Sequence, residues 1–355
     1  MTRLSITFAI PGDRYQRTGG YIYESRVLDA LRDLGHDVEH LELPDGFPNP
    51  TPTELAETRA LLRAVSPGRI LLLDGFLPGC LGPEGLTGIE APMVPIIHHP
   101  LGLETGLDPA RARQLLRDEA AGLRLVRRIV VPSPHTGLLL TRDFGIDSAL
   151  IDMAAPGFDA PEAAPRPISP PLILSVGLLA QRKGHDVLLR ALAQLGDLDW
   201  QARIVGGVHD PALAKALHGQ AQDPALRGRV TFTGLLSDIE VDRAYAEASL
   251  FALATRFEGY GIVFGEAMLR GLPIVTCRAG AVPDTVGEAA DLVPPDDPEA
   301  FAAALRRSLT DPAHRARRAH ASRTVGAALP LWQDTARSIA QTLAVAQGDA
   351  GGKSV

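Results

Sequence analysis

Two glutamates, Glu258 and Glu266, flank a glycine-rich turn in the segment ATRFEGYGIVFGEAMLRGLPIVTCRAGAVPD, residues 254–284. Gly259 and Gly261 leave backbone N–H groups uncovered where a helix is predicted to begin, and helix N-termini favour anions and electron-rich oxygens. Glu266 is predicted early in that helix, where its carboxylate can accept two hydrogen bonds from a vicinal diol such as a ribose. Glu258, on the loop side, is expected to face the other end of the same ligand.

Adjacent cations form a second candidate site in ILSVGLLAQRKGHDVLLRAL, residues 173–192. A strand is predicted to end at Gly177, and Arg182-Lys183-Gly184 is predicted to open a helix. Two basic side chains at a helix N-terminus combine charge, hydrogen-bond donors and the helix dipole, which is typical of a phosphate site. A solvated basic pair at a helix start is the alternative.

The first half of the chain contributes two weaker motifs. Gly19 and Gly20 precede a helix predicted from about Tyr21 to Leu34, so the backbone there can approach a diphosphate closely. His98 and His99 end a predicted strand in VPIIHHPLGLETG. A histidine pair is often structural, and a zinc site needs a third ligand, for which the sequence offers no candidate nearby.

The elements that must position these residues alternate between short apolar strands and amphipathic helices, which predicts parallel sheets with helices on both faces. Five prolines in APEAAPRPISPP, residues 160–171, interrupt the alternation and predict a linker. The sequence therefore predicts an α/β protein of two doubly wound, Rossmann-like domains, with the ligand in a cleft between them. The predicted boundaries are 1–164, completed by a helix over about 328–346, then 170–327, and a disordered tail over 347–355.

Composition excludes several classes of protein. The chain has 355 residues and a formal net charge of −7, which disfavours a nucleic-acid partner. Its two cysteines, Cys80 and Cys277, lack the spacing of a disulfide framework or zinc site. The apolar run at the N-terminus is too short for a signal peptide, and no stretch is long enough to span a bilayer. We therefore expect a cytoplasmic protein, either a monomer or a homodimer.

The segment EGYGIVFGEAMLRGLPIV closely resembles the E-x7-E motif of the retaining glycosyltransferases of family four, which have the two-domain GT-B fold. The resemblance runs from about Gly19 to Trp332 and is dense over residues 173–295. It implies that Glu258 lies near the transferred sugar and that Glu266 binds the nucleotide's ribose. It also assigns donor contacts to the residues between them: Tyr260, Gly261 and Ile262.

The same resemblance extends to the other motifs. The phosphate-clamping lysine of the family matches Lys183, and Arg182 substitutes for an arginine that many members carry where this chain has Leu178. The family's Gly-Gly pair matches Gly19 and Gly20, and its sugar-contacting histidine matches His98 best.

Three more segments carry weaker assignments. His99 and Glu104 are expected on the acceptor side. The loop FTGLLSD resembles one whose backbone, around Leu236, meets the nucleobase. The segment around Trp332 fits a C-terminal helix that crosses back to the first domain.

The predicted function is transfer of a hexose from a nucleoside-diphosphate sugar, with retention and without a metal or other cofactor. Lys183, Arg182 and the helix N-termini at Gly20 and Gly184 stabilise the departing diphosphate. The only D-x-D triplet, Asp197 to Asp199, falls between a helix and a strand and is predicted to be a turn. The alternatives are a nucleotide-sugar epimerase and a non-catalytic sugar-binding protein, whereas a dehydrogenase is disfavoured because the G-x-G-x-x-G fingerprint is missing.

The acceptor is not specified by any motif. RARQLLRDEAAGLRLVRR, residues 111–128, carries six arginines against two acids and has the charge of a membrane-surface segment that presents a lipid acceptor. An ordinary solvated helix is the favoured interpretation. The acceptor class therefore stays open between a small molecule, a glycan and a lipid.

Overall fold

The structure, a computed structural model, describes residues 3–351 of the chain, and its side chains are described over residues 3–348. The chain forms two compact units. The first runs up to Gly157 and resumes at Pro330, and the second is Phe158–Leu329.

Six parallel strands build the first unit. Four form one sheet in the order β2-β1-β3-β4, and the remaining two pair with each other. A single parallel bridge between Ile96 and Val130 joins the two sheets, so chain order reverses once, between β1 and β3. The strands are β1 Ser5–Pro11, β2 Asp37–Leu43, β3 Ile70–Leu73, β4 Met93–Pro95, β5 Ile129–Val131 and β6 Ile151–Met153.

Helices flank these strands, and the C-terminal helix packs against the first one. Trp332, Ala336, Ile339 and Leu343 of that last helix join the buried core under β1 and β3. The helices are α1 Gly19–Asp33, α2 Pro52–Arg63, α3 Phe76–Leu86, α4 Pro109–Gly122, α5 Pro134–Phe144 and, at the C-terminus, α13 Trp332–Gly351.

The second unit has one six-stranded parallel sheet in the order β12-β11-β10-β7-β8-β9. The chain moves outward from β7 through β8 to β9 and then returns to β10 on the other side of β7, which is the Rossmann order. The carboxyl ends of β7 and β10 therefore flank the point where strand order reverses. The strands are β7 Leu172–Val176, β8 Gln201–Val205, β9 Val230–Gly234, β10 Leu250–Leu253, β11 Ile274–Cys277 and β12 Ala290–Val293.

Local sequence signals account for many of the helix starts. Six helices begin with a polar N-cap followed by proline, and each cap side chain accepts a backbone N–H bond. The second unit's helices are α6 His185–Ala193, α7 Pro211–Gln220, α8 Asp238–Glu247, α9 Ile262–Leu269, α10 Val282–Val286, α11 Pro298–Thr310 and α12 Pro312–Gly326. The parallel α/β architecture confirms the predicted fold class of two doubly wound domains.

The predicted linker behaves as part of the second unit. Backbone N–H groups of Arg166 and Ile168 donate to the carbonyls of Ala246 and Glu247, at 2.7 and 3.1 Å. The sequence placed one boundary at residues 164–170 and the other at 327–328, whereas the units divide after Gly157 and after Leu329. Proline content identified the break in the pattern but not the hydrogen bonds that attach the segment.

Two further expectations concern the surface segments. The predicted disordered tail, 347–355, begins inside α13, which continues to Gly351, and residues 352–355 lie outside the described part of the chain. The arginine-rich segment 111–128 is not one helix, because α4 ends at Gly122 and Arg128 pairs with Asp152 at 2.7 Å. None of the described helices combines the length and the apolar character that crossing a bilayer requires.

Candidate functional site

The carboxyl ends of β7 and β10 carry two loops that are tied together. The backbone N–H of Arg256 donates to the carbonyl of Arg182 at 2.7 Å, and Thr255 Oγ1 lies 3.0 Å from the same oxygen. The Arg256 guanidinium reaches the carbonyl of Gln181 at 2.6 Å. Lys183 and Glu258, predicted from motifs 75 residues apart, are thereby held on adjacent loops at the switch point of this sheet.

Glu258 lies directly against both predicted phosphate-site cations. Its Oε1 is 2.6 Å from Lys183 Nζ and its Oε2 is 3.5 Å from Arg182 Nη1. Thr255 Oγ1 is 3.1 Å from Oε1. Glu258 is 5 % exposed and Lys183 is 8 % exposed, so this ion pair is shielded from water.

The charge state of Glu258 follows from these neighbours. Burial alone raises the pKa of a carboxyl group. Here the charges of Lys183 and Arg182, and the hydrogen bonds from Lys183 and Thr255, outweigh burial and hold the pKa of Glu258 below its usual value. Glu258 is therefore ionised at neutral pH, and its charge is compensated within the pair of loops.

Two glycines allow the loops to approach so closely. Gly184 has φ +64°, and a Cβ there would lie 1.8 Å from the carbonyl oxygen of Ala254. Gly280 has φ +55°, and a Cβ there would lie 2.3 Å from the carbonyl oxygen of Glu258. Both positions combine a left-handed backbone with backbone contact, which only glycine accommodates without rearrangement.

The cationic loop differs in detail from its prediction. Gln181–Lys183 forms a 3₁₀ turn, Gly184 is the N-cap, and α6 starts one residue later, at His185. The Nε2 atom of buried His185 lies 3.3 Å from the carbonyls of Gly177 and Leu178, which braces the loop. Burial lowers the pKa of His185 to about 4. The two cations thus precede the helix rather than open it.

Arg256 is a structural member of this site that the sequence did not indicate. Its guanidinium pairs with Asp186 at 2.8 Å and with Asp296 at 2.7 Å, in addition to the Gln181 carbonyl. Asp296 is a non-glycine residue with positive φ, at 57°. Nothing in the spacing of these residues predicts that they meet, because the contacts join the loops after β7, β10 and β12 with the first turn of α6.

Glu266 lies in the second turn of α9, as the fifth of its eight residues, rather than at the helix start. Its Oε2 accepts a 2.7 Å hydrogen bond from the hydroxyl of Tyr245. Burial raises the pKa of Glu266, and the Tyr245 hydrogen bond and the charge of Arg270 offset this only in part. The expected stabilisation by the helix dipole is therefore not the dominant influence, because Glu266 is one turn too far along and is partly buried.

Glu266 is positioned by residues that the sequence analysis missed. The Arg270 guanidinium lies over the Tyr245 ring, 4.8 Å from its centroid, and donates to the Glu266 carbonyl at 2.9 Å. Arg270 also forms an ion pair with Asp242. The i,i+4 spacing of Glu266 and Arg270 was a usable signal, whereas the contribution of Tyr245 depends on how α8 packs.

The remaining donor-site predictions lie around α9 and after β9. Gly261 is the N-cap of α9 with φ +89°, and a Cβ there would meet the Phe264 ring at 2.5 Å. Ile262 opens the helix, and the Tyr260 carbonyl accepts a 2.7 Å hydrogen bond from Thr285. Leu236, between β9 and α8, is partly buried against the unit's core. No ligand contact tests these positions, and their roles stay predictions.

In the first unit, the glycine pair lies inside α1 rather than before it. Thr18 is the N-cap, with Oγ1 at 3.5 Å from the Tyr21 N–H, so Gly19 and Gly20 form the first turn. A Cβ on Gly20 would lie 3.3 Å from Cδ2 of His98. Glycine at this position lets the helix start approach the predicted sugar-site histidine closely.

His98 follows β4 and packs between buried groups. Its side chain is 23 % exposed, and its Nε2 lies 3.4 Å from Glu24 Oε1 of α1. The Tyr23 ring meets it edge-on with centroids 5.1 Å apart. Burial lowers the pKa of His98 to about 4, which nearby Asp74 offsets only in part. His98 is thus neutral, and its acidic neighbours, Glu24 and Asp74, did not stand out in the sequence.

The structure also shows where the predicted acceptor-side residues and the D-x-D triplet lie. His99 Nε2 lies 3.2 Å from Glu104 Oε2, so the two residues expected on the acceptor side contact each other. The Asp197–Asp199 triplet lies in a turn after α6, and Asp197 pairs with Arg306 at 2.6 Å.

Residues 170–311 match the family model described as "Glycosyl transferases group 1". Over 211 residues the chain is 33 % identical to the GDP-mannose-dependent alpha-(1-6)-phosphatidylinositol monomannoside mannosyltransferase of Mycolicibacterium smegmatis, covering 52 % of this chain and 53 % of that protein. Over 322 residues it is 29 % identical to the MMP alpha-(1->4)-mannosyltransferase of Mycolicibacterium hassiacum, covering 84 % and 75 %. The first of these matches thus spans about half of the relative's length.

Solved structures give the same picture for the fold. Sucrose-phosphate synthase from Thermosynechococcus elongatus aligns with TM-score 0.81 and 23 % identity over 96 % of this chain and 98 % of that one. Anabaena HepE in complex with UDP-glucose aligns with TM-score 0.79 and 20 % identity over 96 % and 100 %. At these identities the likeness establishes the fold alone.

Proposed function

Because its second unit belongs to the group 1 glycosyltransferases and the whole chain has their GT-B fold, we propose that this protein is a retaining hexosyltransferase. It takes a hexose from a nucleoside-diphosphate sugar and passes it to an acceptor. The relatives named above use or transfer mannose, so GDP-mannose is the first donor to test.

The observation that carries this proposal is the Lys183–Glu258–Arg182 cluster at the switch point of the second sheet. Ligands of doubly wound sheets bind outside the carboxyl ends of the strands at such a point. Two cations on a short loop before a helix suit a diphosphate, and Glu258 fixes both of them before any ligand arrives. An ion pair that served folding alone would not need to be next to the switch point.

In the proposed mechanism, these groups stabilise the negative charge that develops on the diphosphate. As the bond between the sugar and the diphosphate breaks, Lys183, Arg182 and the N-terminus of α6 stabilise the leaving group. Glu258 and the backbone at Tyr260 and Gly261 orient the sugar. The acceptor hydroxyl attacks from the face that the diphosphate leaves and gives its proton to the departing phosphate oxygen, so the configuration at the anomeric carbon is retained.

The other assignments follow the family resemblance. Glu266 holds the ribose diol, with the Tyr245 hydroxyl keeping its side chain in place. On the first unit, His98 contacts the donor sugar. The charge of the diphosphate is met by Lys183 and Arg182, so we propose that no metal is required.

A panel of UDP-, GDP- and ADP-sugars, tested first by thermal shift and then by transfer to a panel of sugar and lipid acceptors, tests the proposal. We expect one donor to stabilise the protein, turnover in the presence of EDTA, and a product whose anomeric configuration, measured by NMR, matches the donor. Inverted product overturns the retaining assignment. Epimerised free sugar formed without acceptor identifies an epimerase instead.

Two variants separate the roles of the glutamates. Glu266→Ala should weaken donor binding, whereas Glu258→Ala should chiefly lower turnover. Glu288→Ala, which removes an exposed glutamate of the same unit, is the matched control. Unchanged donor affinity and turnover in both site variants would contradict the assignment of the E-x7-E residues.

A further inference from the structure

An open cavity of about 600 Å³ lies along β12, the edge strand of the second unit's sheet. Residues of β12, of α11 and α12, and of the turn after β11 line it. None of the residues assigned to the donor is among them, and β11 separates β12 from β10, which precedes the Glu258 loop. The cavity is therefore separate from the cluster at the switch point.

Three arginines line this cavity together with a single acid. Arg278 follows β11, Arg307 belongs to α11 and Arg318 to α12, and the acid is Asp291 of β12. Three positive charges against one negative charge leave the lining with a formal charge of +2, in a chain whose formal net charge is −7. The cavity is thus a local concentration of positive charge on an acidic protein.

Asp291 accounts for only part of that charge. It is 4 % exposed, and its Oδ2 lies 2.6 Å from His314 Nε2. Its Oδ1 accepts from Arg318 Nη2 at 2.7 Å and from Arg318 Nε at 3.1 Å. Arg307 Nη2 reaches the same oxygen at 3.2 Å, while the side chain of Arg307 is 54 % exposed. The buried carboxylate therefore holds two guanidinium groups in the cavity wall, and both keep N–H groups that it does not use.

Arg278 adds a third guanidinium that nothing compensates. Its side chain is exposed and has no hydrogen bond or ion pair with any residue that the structure describes. Its backbone N–H donates to the Val293 carbonyl at 2.8 Å, which fixes the turn that carries it to the end of β12. An uncompensated arginine in one cavity with two others indicates a ligand with negative charge.

Charge and size together select the class of ligand. Arginine forks match the oxygens of phosphate in geometry and in charge. A phosphate monoester carries about −1.5 to −2 charges at pH 7, which balances the +2 of the lining, whereas one carboxylate would balance only half of it. The volume of about 600 Å³ is that of a small-molecule site. Ala300, Ala303 and Ala304 of α11 supply a wall of small apolar side chains beside the arginines.

We propose that this cavity is a second anion site, which binds the phosphate group of a small phosphorylated molecule through Arg278, Arg307 and Arg318. The alanine wall of α11 then accommodates the remainder of that molecule. The proposal depends neither on the transfer activity nor on the residues assigned to the donor.

Calorimetric titration of the full chain at constant ionic strength tests the site. Inorganic phosphate and glucose 6-phosphate are the two probes, and we expect saturable binding of the sugar phosphate. Tighter binding of glucose 6-phosphate than of inorganic phosphate shows that the alanine wall contributes, and equal binding identifies inorganic phosphate as the ligand. Absence of saturable binding for both probes overturns the proposal.

Two variants locate the binding. Arg278→Gln removes a side chain that makes no contact to lose, so the thermal midpoint without ligand should stay at the wild-type value while binding weakens about tenfold or more. Ala303→Glu places a carboxylate among the arginines from an exposed helix position, and it should weaken binding at least as much.

The matched control is Arg317→Gln. Arg317 is exposed on α12 next to Arg318 but does not line the cavity, so this variant removes the same charge from the protein without touching the site. Its affinity for both probes should stay within about twofold of wild type. An equal loss in Arg317→Gln would reduce the effect to net charge. Unchanged binding in both Arg278→Gln and Ala303→Glu would place the phosphate elsewhere, and either result overturns the proposal.

Discussion

Each unit holds a buried cluster of ionisable groups at the point where strand order reverses, and the two clusters are compensated in opposite ways. In the second unit Glu258 contacts Lys183 and Arg182, and its pKa lies below the usual value. In the first unit Glu24 lies 3.4 Å from the neutral imidazole of His98 with no cation as its ion-pair partner in the described chain, and burial raises its pKa to about 8. Glutamates of nearly equal burial thus end in different charge states.

The difference shows that partner charge, rather than depth of burial, decides whether a buried carboxyl group ionises here. The cation-paired cluster suits a site that must receive and release a diphosphate, because its cations are already charged and placed. The first-unit cluster of Glu24, Asp74 and His98 suits a site that must hold a neutral imidazole, because burial raises the pKa of both acids and lowers the pKa of the histidine. The predictions below test this contrast, starting with the largest expected effect.

Lys183→Met should break the second cluster. It leaves Glu258 buried with Arg182 as the remaining cation, which costs about 3–5 kcal/mol of folding stability when one partner of a buried pair is removed. Transfer should fall by at least about 100-fold, because a developing diphosphate charge loses its main partner. Urea unfolding and turnover with the identified donor measure the two effects.

Lys215→Met is the control, because Lys215 lies exposed on α7 of the same unit. It should change stability by less than about 0.5 kcal/mol. If Lys183→Met is as stable as this control, Glu258 is not held ionised by Lys183 and the contrast between the clusters is wrong.

A buried acid that is paired with cations and a buried acid that has no cation partner should affect folding stability with opposite pH dependence. The folded-state pKa of Glu258 is lowered, so its contribution to stability is present above its unfolded pKa near 4.5 and is lost as pH falls through the folded value. Glu258→Gln should therefore lower stability by about 3 kcal/mol at pH 7, and the deficit should shrink below pH 4.5.

Glu119 is a single buried acid outside both clusters, and its stability contribution should have the opposite pH dependence. Burial raises its folded pKa to about 8, so wild-type stability falls as pH rises between about 4.5 and 8. The stability of Glu119→Gln relative to wild type should increase over that pH range and remain constant above it. Thermal midpoints from pH 3.5 to pH 9 measure both variants, and parallel curves for the two would show that burial alone sets these charges.

Sequence alone predicted the strands, the two Rossmann-like units and the residues of the E-x7-E segment, because apolar periodicity and motif spacing are local. It also selected Lys183 and Glu258, whose contact is an outcome of parallel strand order. It missed Glu24 and Asp74, because a glutamate inside a helix and an aspartate after a strand are common on surfaces. Their burial depends on how α1 and β3 pack, and no local pattern encodes that.

The position of Glu266 shows the same limit on a smaller scale. The sequence suggested a carboxylate early in the helix, but α9 begins at Ile262, after the left-handed Gly261 N-cap, and Glu266 is its fifth residue, in the second turn. The attachment of residues 160–171 to the second unit was missed for a similar reason, since proline content reports backbone restriction but not hydrogen-bond partners.

Gly184→Ala tests whether the approach of the two loops maintains the compensated cluster. The new Cβ meets the Ala254 carbonyl in a left-handed backbone, so the loops must separate and Lys183 must move away from Glu258. Gly145→Ala is a close control, because Gly145 has φ +63° and nothing within 4 Å of its Cβ position.

The control should lose about 1–2 kcal/mol from backbone strain alone. Gly184→Ala should lose about 1–3 kcal/mol more from the clash, and donor affinity should fall with it. Equal losses in the two variants would show that the loops are not held at contact distance, and that the pairing of Glu258 tolerates their movement.

Glu266 offers an intermediate case, with a hydroxyl donor instead of a cation or a neutral imidazole. Tyr245→Phe removes the 2.7 Å hydrogen bond to Oε2, which raises the pKa of Glu266 further because burial is then less offset. The expected cost is about 1 kcal/mol of stability and a several-fold weaker donor affinity, since the carboxylate loses its hydrogen bond and is less fully ionised.

A double-mutant cycle that combines Tyr245→Phe with Glu266→Gln, measured by unfolding and by donor titration, isolates the interaction of this pair. A coupling energy near zero would show that Tyr245 does not affect Glu266. A measurable coupling that is smaller than the effect of Lys183 on Glu258 would order the three carboxyl groups by their partners: cation, hydroxyl, imidazole.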